Sequence, residues 1–313
     1  MALVPASDYG WSIEATLQPK GPYSLRLSTR LGSDATRAVR EGVLGAVLPV
    51  GDGYERVIAW QGPNGAIRVR AASPEGIEQL RFVLALEDDH TPFLQRFARD
   101  PMLGETLRRL RGLRPLRVPT VAQALLRALC GQLIESSRAR ALERRIIRAA
   151  MPALGELHAP PTCAALARFS AAELRALGLH ARRAATLVRL CRSLQLERLK
   201  ALPTASAAAR LERERGLGPW SVGVVCVEGL GRTERGLEGD LGLVKLLSAM
   251  RGGWVEGHET AELLEPYGEW AGLASVYLLA GFGRGLLPVR APSRSARRAQ
   301  APTRTCARST SSL

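Results

Sequence analysis

The sequence predicts an α+β protein: a small N-terminal antiparallel sheet domain followed by an all-helical body. Three observations predict it. Over the first 70 or so residues, apolar and polar side chains alternate with period two in short runs punctuated by glycine. After about residue 90 the apolar spacing becomes helical and strand signals vanish. From Val289 to Leu313 both patterns stop, leaving six arginines, no acidic residue and much Ser, Thr, Ala and Pro. The expected organisation is a sheet domain over 1–90, a helical body over 91–288 and a basic disordered tail over 289–313.

Trp11 to Leu17 alternates cleanly and predicts the first strand. After a Gly21-Pro22 turn, Tyr23 to Leu27 alternates again and predicts a second. Val43–Val50, Arg56–Trp60 and Ala66–Ala71 are further strands, separated at Gly51, Gly53, Gly62 and Gly65. Gly76–Leu86 reads as a helix that covers one sheet face. In the body, Thr120 is a suitable N-cap for Val121–Leu133, Ser136 or Ser137 for Ala139–Met151, and Ser170 for Ala171–Leu177. Ala184–Leu194, Ala205–Arg215, Val222–Leu230, Leu241–Met250, Glu259–Tyr267 and Trp270–Ala280 complete the helices.

A length of 313 residues suits about two domains. The apolar fraction of 46% allows a sizeable core and excludes wholesale disorder and a disulfide scaffold. Trp270 to Gly283 is an uncharged run of 14 residues, too short to cross a bilayer, and the N-terminus has no apolar signal segment, so no membrane partner is expected. The charge is less ordinary. Lys+Arg of 44 against Asp+Glu of 29 gives +15, which points to a polyanionic partner, nucleic acid first. Cys130, Cys163, Cys191, Cys226 and Cys306 are scattered without metal-type spacing, which fits a reducing, cytoplasmic setting.

Leu211 to Leu247 carries most of the information. A helix runs into Gly216-Leu217-Gly218, and Pro219 opens the next at the position where its missing N–H costs nothing. The two glycines permit a tight turn and leave backbone N–H groups uncovered at a helix N-terminus, a setting that favours an anion such as a DNA phosphate. Helix, Gly-apolar-Gly, helix is the helix-hairpin-helix pattern. Trp220 follows at once, and Asp240 lies twenty residues later at a predicted helix start. Taken alone, Asp240 reads as an N-cap, and Leu133 and Trp220 read as core.

Together these residues resemble the helix-hairpin-helix DNA glycosylase superfamily, specifically its 3-methyladenine DNA glycosylase II branch. The positions that carry the resemblance are Gly216, Leu217, Gly218, Trp220, Ser221 and Asp240. Ala128 to Ile134, Leu177 to Leu179 with Arg182, Arg183 and Ala184, and Pro266-Tyr267 to Tyr277 resemble further segments of that branch, and the match spans most of 10–285. The resemblance implies a helix-hairpin-helix glycosylase body with the DNA cleft between two subdomains. It also implies a monomer that binds double-stranded DNA with damaged bases and hydrolyses a purine N-glycosidic bond by base flipping.

It further implies roles. Asp240 is the carboxylate that stabilises the oxocarbenium-like transition state. Trp220 and Tyr267 wall the base pocket. Leu133 is the wedge that fills the vacated stack, with Gln132 beside it. Gly216, Leu217, Gly218 and Ser221 form the phosphate-holding hairpin. The main-chain carbonyls of Glu212, Glu214 and Leu217 are the positions that hold a monovalent cation in the family; no other cofactor is implied.

Two absences refine this. Where the glycosylase-lyase branch has a Schiff-base lysine, one residue after the second hairpin glycine, this chain has Pro219. The four-cysteine iron–sulfur cluster of the endonuclease III branch has no counterpart, since no Cys lies between Cys226 and Cys306. The expectation is a monofunctional hydrolase acting on alkylated purines. Glu135, Val224, Glu238 and Gly268 depart from the family pattern, which keeps open a noncatalytic helix-hairpin-helix DNA-binding protein. Charge alone would also allow an RNA- or ribosome-associated protein.

Overall fold

The structure is a computed structural model that describes residues 11–30 and 32–289. The basic tail and Cys306 lie outside the described residues. Five strands form one antiparallel sheet in the order β1-β5-β4-β3-β2, with β1 Ile13–Leu17, β2 Arg37–Arg40, β3 Val43–Val50, β4 Gly53–Gln61 and β5 Ile67–Ala71. In β3 and β4 the period-two pattern sets the register: Leu44 pairs with Ala59, Ala46 with Val57 and Leu48 with Glu55. Helix α2 (Pro74–Val83) covers one face, packing Ile77, Leu80 and Val83 against Leu44, Leu48, Val57 and Val69. Ser73 caps it, accepting the Gly76 N–H at 3.0 Å.

Two expectations about this domain are corrected. Tyr23–Leu27 is not a strand; α1 (Leu25–Thr29) is a short helix capped by Ser24, whose hydroxyl accepts the Leu27 N–H at 3.3 Å. Five alternating residues cannot outweigh a cap directly before a helix that buries Leu25, Ser28 and Thr29 on one face. Strand β2 went unread because arginines stand at both its ends. Arg37 is nonetheless buried, its guanidinium donating to the Gly32 and Arg117 carbonyls and paired with Asp34.

The helical body divides between two hydrophobic cores. One gathers α5 (Val121–Gly131), α6 (Ser136–Ala150), α7 (Cys163–Ala167), α8 (Ala171–Ala176), α9 (Ala181–Ser193), α10 (Thr204–Glu212), α11 (Pro219–Val224) and a π-helical segment, Val225–Leu230. The other gathers α3 (Thr91–Arg96) and α4 (Gly104–Arg109) with α12 (Leu241–Arg251), α13 (Thr260–Leu264) and α14 (Ala271–Phe282). The chain therefore enters the second core, leaves to build the first, and returns through the Gly231–Asp240 loop. A two-residue hairpin, β6 (Ala153–Leu154) with β7 (Leu157–His158), interrupts the helices. Thr120 caps α5 and Ser170 caps α8 with a full capping box. Helix α6, in contrast, starts at Ser136 with Glu135 in the cap position and no side-chain cap bond.

A buried charge cluster joins the sheet domain to the first helical core. Arg127 reaches Asp34 at 2.6 Å, Glu143 at 2.9 Å and Glu228 at 2.5 Å. Burial drives the Asp34 carboxyl up, but Arg37 and Arg127 more than offset that and hold it below the usual carboxylate range. For Glu143 burial prevails and its pKa is raised. Removing one partner from such a cluster strands a desolvated charge, at a cost of about 3–5 kcal/mol.

Candidate DNA-binding and catalytic site

The hairpin has the conformation its glycines suggested. Gly216 adopts φ +96°, where a side chain would be strained, and a Cβ there would sit 2.6 Å from the Thr186 hydroxyl on α9. Leu217 is buried in the first core and pins the turn, whose Leu217 N–H donates to the Glu214 carbonyl at 3.1 Å. Gly218 is extended, with no heavy atom within 4 Å of its Cβ direction, so its backbone is open to close approach. Pro219 then occupies the first turn of α11.

Arg189 on α9 braces the turn, donating to the Glu214 carboxylate and the Arg215 carbonyl, each at 2.7 Å. Arg210 adds a second ion pair to Glu214 at 2.6 Å. The Glu214 carbonyl accepts the Leu217 N–H, and the Arg189 guanidinium sits on the adjoining Arg215 carbonyl. No step below depends on a cation at the Glu212, Glu214 and Leu217 carbonyls.

Ser221 is buried, and its hydroxyl accepts from the Gln132 amide at 2.9 Å. The same amide donates to the Gly216 carbonyl at 2.9 Å. Ser221 therefore supports the hairpin from within, and Gln132 ties the hairpin to the loop between α5 and α6. Leu133 sits in that loop with φ +55° and 97% of its side chain exposed. That backbone conformation is costly for Leu, and it holds the apolar side chain clear of the rest of the protein.

Trp220 packs its ring tip against the last residue of α5. A Cβ on Gly131 would lie 2.5 Å from its Cη2 atom, so only glycine admits the ring there. The indole Nε1–H donates to Asp240 Oδ2 at 2.9 Å. Asp240 is the N-cap of α12, and its Oδ1 accepts the Gly242 N–H at 2.7 Å. Both carboxylate oxygens are therefore aimed by fixed donors, and the side chain remains partly open to solvent. The cap role and the catalytic candidacy belong to the same residue.

Tyr267 stands apart. It is 3% exposed, its ring edge rests on Phe97 and its hydroxyl donates to Asp100 at 3.3 Å. The structure packs it in the second core, where burial raises its pKa, instead of leaving its face open as a pocket wall. Gly268 beside it takes φ +50° and breaks the helical turn of Glu265–Trp270. Three residues had no role in the sequence reading: Gly131 gives the Trp220 ring its place, Gly242 holds one Asp240 oxygen, and Arg189 braces the hairpin. A glycine closing an amphipathic helix beside a Gln is the one signal that pointed to Gly131.

No family model matches the chain. A DNA-3-methyladenine glycosylase of Bacillus subtilis (strain 168) is 25% identical over 204 residues, which cover 62% of this chain and 67% of that protein. A 3-methyladenine DNA glycosylase structure from Archaeoglobus fulgidus superposes with TM-score 0.75 at 20% identity, covering 85% of this chain and 97% of that one. The chain has the fold of the helix-hairpin-helix DNA glycosylases. A Clostridium acetobutylicum 8-oxoguanine glycosylase/lyase, solved in complex with double-stranded DNA, shares this glycosylase fold with TM-score 0.71 at 16% identity, over 88% of this chain and 99% of that one. Among the described residues, no helix is long and apolar enough to span a membrane.

Proposed function

We propose that this protein is a monofunctional DNA glycosylase that excises alkylated purines of the 3-methyladenine type from duplex DNA. The observation that carries the reading is the Trp220–Asp240 pair. A carboxylate with both oxygens held by N–H donors stands next to a phosphate-accepting hairpin and a solvent-exposed wedge.

Binding starts with the hairpin, whose Gly218 backbone and helix N-terminus receive the phosphate next to the lesion. The target nucleotide rotates out of the stack, and Leu133 occupies the space without demanding hydrogen bonds. A ring-alkylated purine is already cationic, so it leaves without prior protonation. As the C1′–N bond breaks, its electron pair neutralises the base and positive charge grows on the sugar. Asp240 stabilises that charge electrostatically, the kind of preorganised interaction worth about 3–4 kcal/mol in a catalytic site. Water then bonds to C1′ and passes its proton to the carboxylate or to solvent. Trp220 fixes Asp240 and offers a ring face that attracts a cationic base. No amine follows the second hairpin glycine, so no Schiff base forms and the strand stays intact. The cytoplasmic, monomeric character expected from the sequence belongs to the same proposal.

The test is base release from methylated duplex DNA by wild type and Asp240→Asn, worked up at neutral and at alkaline pH. The expected result is free 3-methyladenine and alkali-labile but unnicked DNA for wild type. The variant should bind the duplex and release about 10²-fold less base. If wild type binds DNA yet frees no base from any alkylated or deaminated duplex, the noncatalytic DNA-binding reading replaces this one.

A further inference from the structure

One stripe of α9 backs the hairpin. Thr186 meets Gly216, where a Cβ would lie 2.6 Å from its hydroxyl, and Arg189 donates to the Glu214 carboxylate and the Arg215 carbonyl. Arg182 continues the same stripe, four residues before Thr186. The Thr186 hydroxyl donates to the Arg182 carbonyl at 2.9 Å, so Arg182 lies one helical turn from the residue that touches the hairpin glycine. Arg182 is exposed, and its guanidinium has no ion pair or hydrogen bond among the described residues. A second stripe runs along α6, which starts three residues after Leu133. A Cβ on Gly178 would lie 3.5 Å from Leu142 Cδ1, and Arg145 donates to the Leu177 carbonyl at 2.9 Å, so this face of α6 lies against the turn that leads into α9. Arg138 is four residues before Leu142 on that face, one turn nearer the wedge. It too is exposed and has no side-chain partner among the described residues. Glu143, the acid within α6, is buried and turned to Arg127, which leaves Glu135 at the start of the helix as the exposed carboxylate of this segment.

We propose that Arg182 and Arg138 are phosphate-binding residues, each holding one DNA backbone phosphate beyond the one that the hairpin receives. A guanidinium matches a phosphate in charge and in the geometry of its donors, and a duplex presents phosphates in continuous rows. The α9 stripe carries the grip outward from the hairpin, where Thr186 and Arg189 are already committed to the turn itself. The α6 stripe carries it to the wedge loop, where Arg145 is committed to the Leu177 carbonyl and Arg138 is not. Contacts of this kind set the register of the duplex without reading its sequence. They hold the backbone while Leu133 takes the place of the target nucleotide. The inference rests on the hairpin being a DNA-binding element, as in the proposed function, and on no step of the chemistry.

The experiment measures the affinity of the full chain for an undamaged DNA duplex over about 50–200 mM potassium chloride. Wild type is compared with Arg138→Gln, Arg182→Gln and Arg68→Gln, and the melting of each is recorded. Arg68, exposed on β5 of the sheet domain, controls for the loss of one positive charge. Each phosphate contact contributes about 0.9 to the slope of log affinity against log salt. Arg138→Gln and Arg182→Gln should each flatten the slope by about that amount, with melting unchanged because both side chains are in solvent. Arg68→Gln should keep the wild-type slope. A wild-type slope in Arg138→Gln or Arg182→Gln, or an equal flattening in Arg68→Gln, would overturn the proposal. Base release enters none of these readings. A wild type that shows the expected slopes yet frees no base would support this inference and overturn the glycosylase reading, whereas one that binds no duplex would overturn both.

Discussion

Gly131→Ala tests whether the Trp220–Asp240 contact governs the chemistry. The new Cβ would sit 2.5 Å from Trp220 Cη2 and 3.4 Å from Cζ2. Carbon–carbon contacts settle near 3.5–4.0 Å, so the ring tip must retreat by about 1 Å. Trp220 cannot do so without swinging its Nε1, and the 2.9 Å bond to Asp240 has little slack before it ceases to be a hydrogen bond. One carboxylate oxygen is then unheld, while Gly242 still holds the other. A misplacement of about 1 Å in a catalytic group costs up to about 10²-fold in rate. The fold should survive, because overpacking costs about 1–3 kcal/mol and the helix propensity of Ala over Gly returns up to about 1 kcal/mol. Single-turnover base release should thus fall about 10²-fold while duplex affinity and cooperative melting persist. Trp220→Phe, which keeps a ring but removes the donor, should fall at least about tenfold. A Gly131→Ala enzyme within about threefold of wild type, with melting unchanged, would refute the idea that Trp220 positions Asp240.

Leu133→Ala should leave thermal stability within about 0.5 kcal/mol, since the side chain is already in solvent, yet slow base release from fully paired duplex more than from a mismatched site; equal slowing on both would remove the wedge role. Borohydride should trap no covalent adduct on abasic DNA, because Pro219 stands where the amine would be; a trapped adduct that disappears in Lys245→Ala would make this protein a lyase. Asp34 and Asp88 both have folded-state pKa values below their unfolded ones, Asp34 through Arg37 and Arg127 and Asp88 through His90 and Arg117, each against burial. Their stabilisation is therefore complete above the unfolded value near 3.8 and drains as pH falls through the folded values. Asp34→Asn should lower stability at pH 7 by about 3 kcal/mol and flatten the acid limb of the melting curve; an unchanged limb would assign acid sensitivity elsewhere.

The legible parts of this molecule are those fixed by neighbours in sequence. Thr120 and Ser170 announced their helices because a cap bonds two or three residues away. Gly216 and Pro219 announced the hairpin because φ above zero and a missing N–H are properties of single residues. The Tyr23–Leu27 run misled because five residues fit two periods, and Ser24 decided between them. The illegible parts depend on contacts across the chain. Asp240 taken alone reads as a cap, and nothing near it in sequence tells that Trp220, twenty residues earlier, holds its other oxygen. Tyr267 reads as a pocket aromatic until Phe97 and Asp100 enclose it. Arg127 looks like one more surface arginine; its three carboxylate partners come from three other segments.

The π-helical segment also sets how the chain length can change. Within it, Glu228 reaches Arg127 and Gly229 fits against Ala124, while Gly223 just before it admits the returning backbone of Gly236. A π turn is an α-helix carrying one residue more than its pitch needs, so removing one residue from Val225–Leu230 would return the coil to α-helical pitch with its end facing nearly the same way. An added residue has no such outlet: it would turn everything after it by about 100° and start the loop to Asp240 from the wrong side of α11. The interval from Trp220 to Asp240 should therefore bear the loss of a residue at this turn and resist a gain.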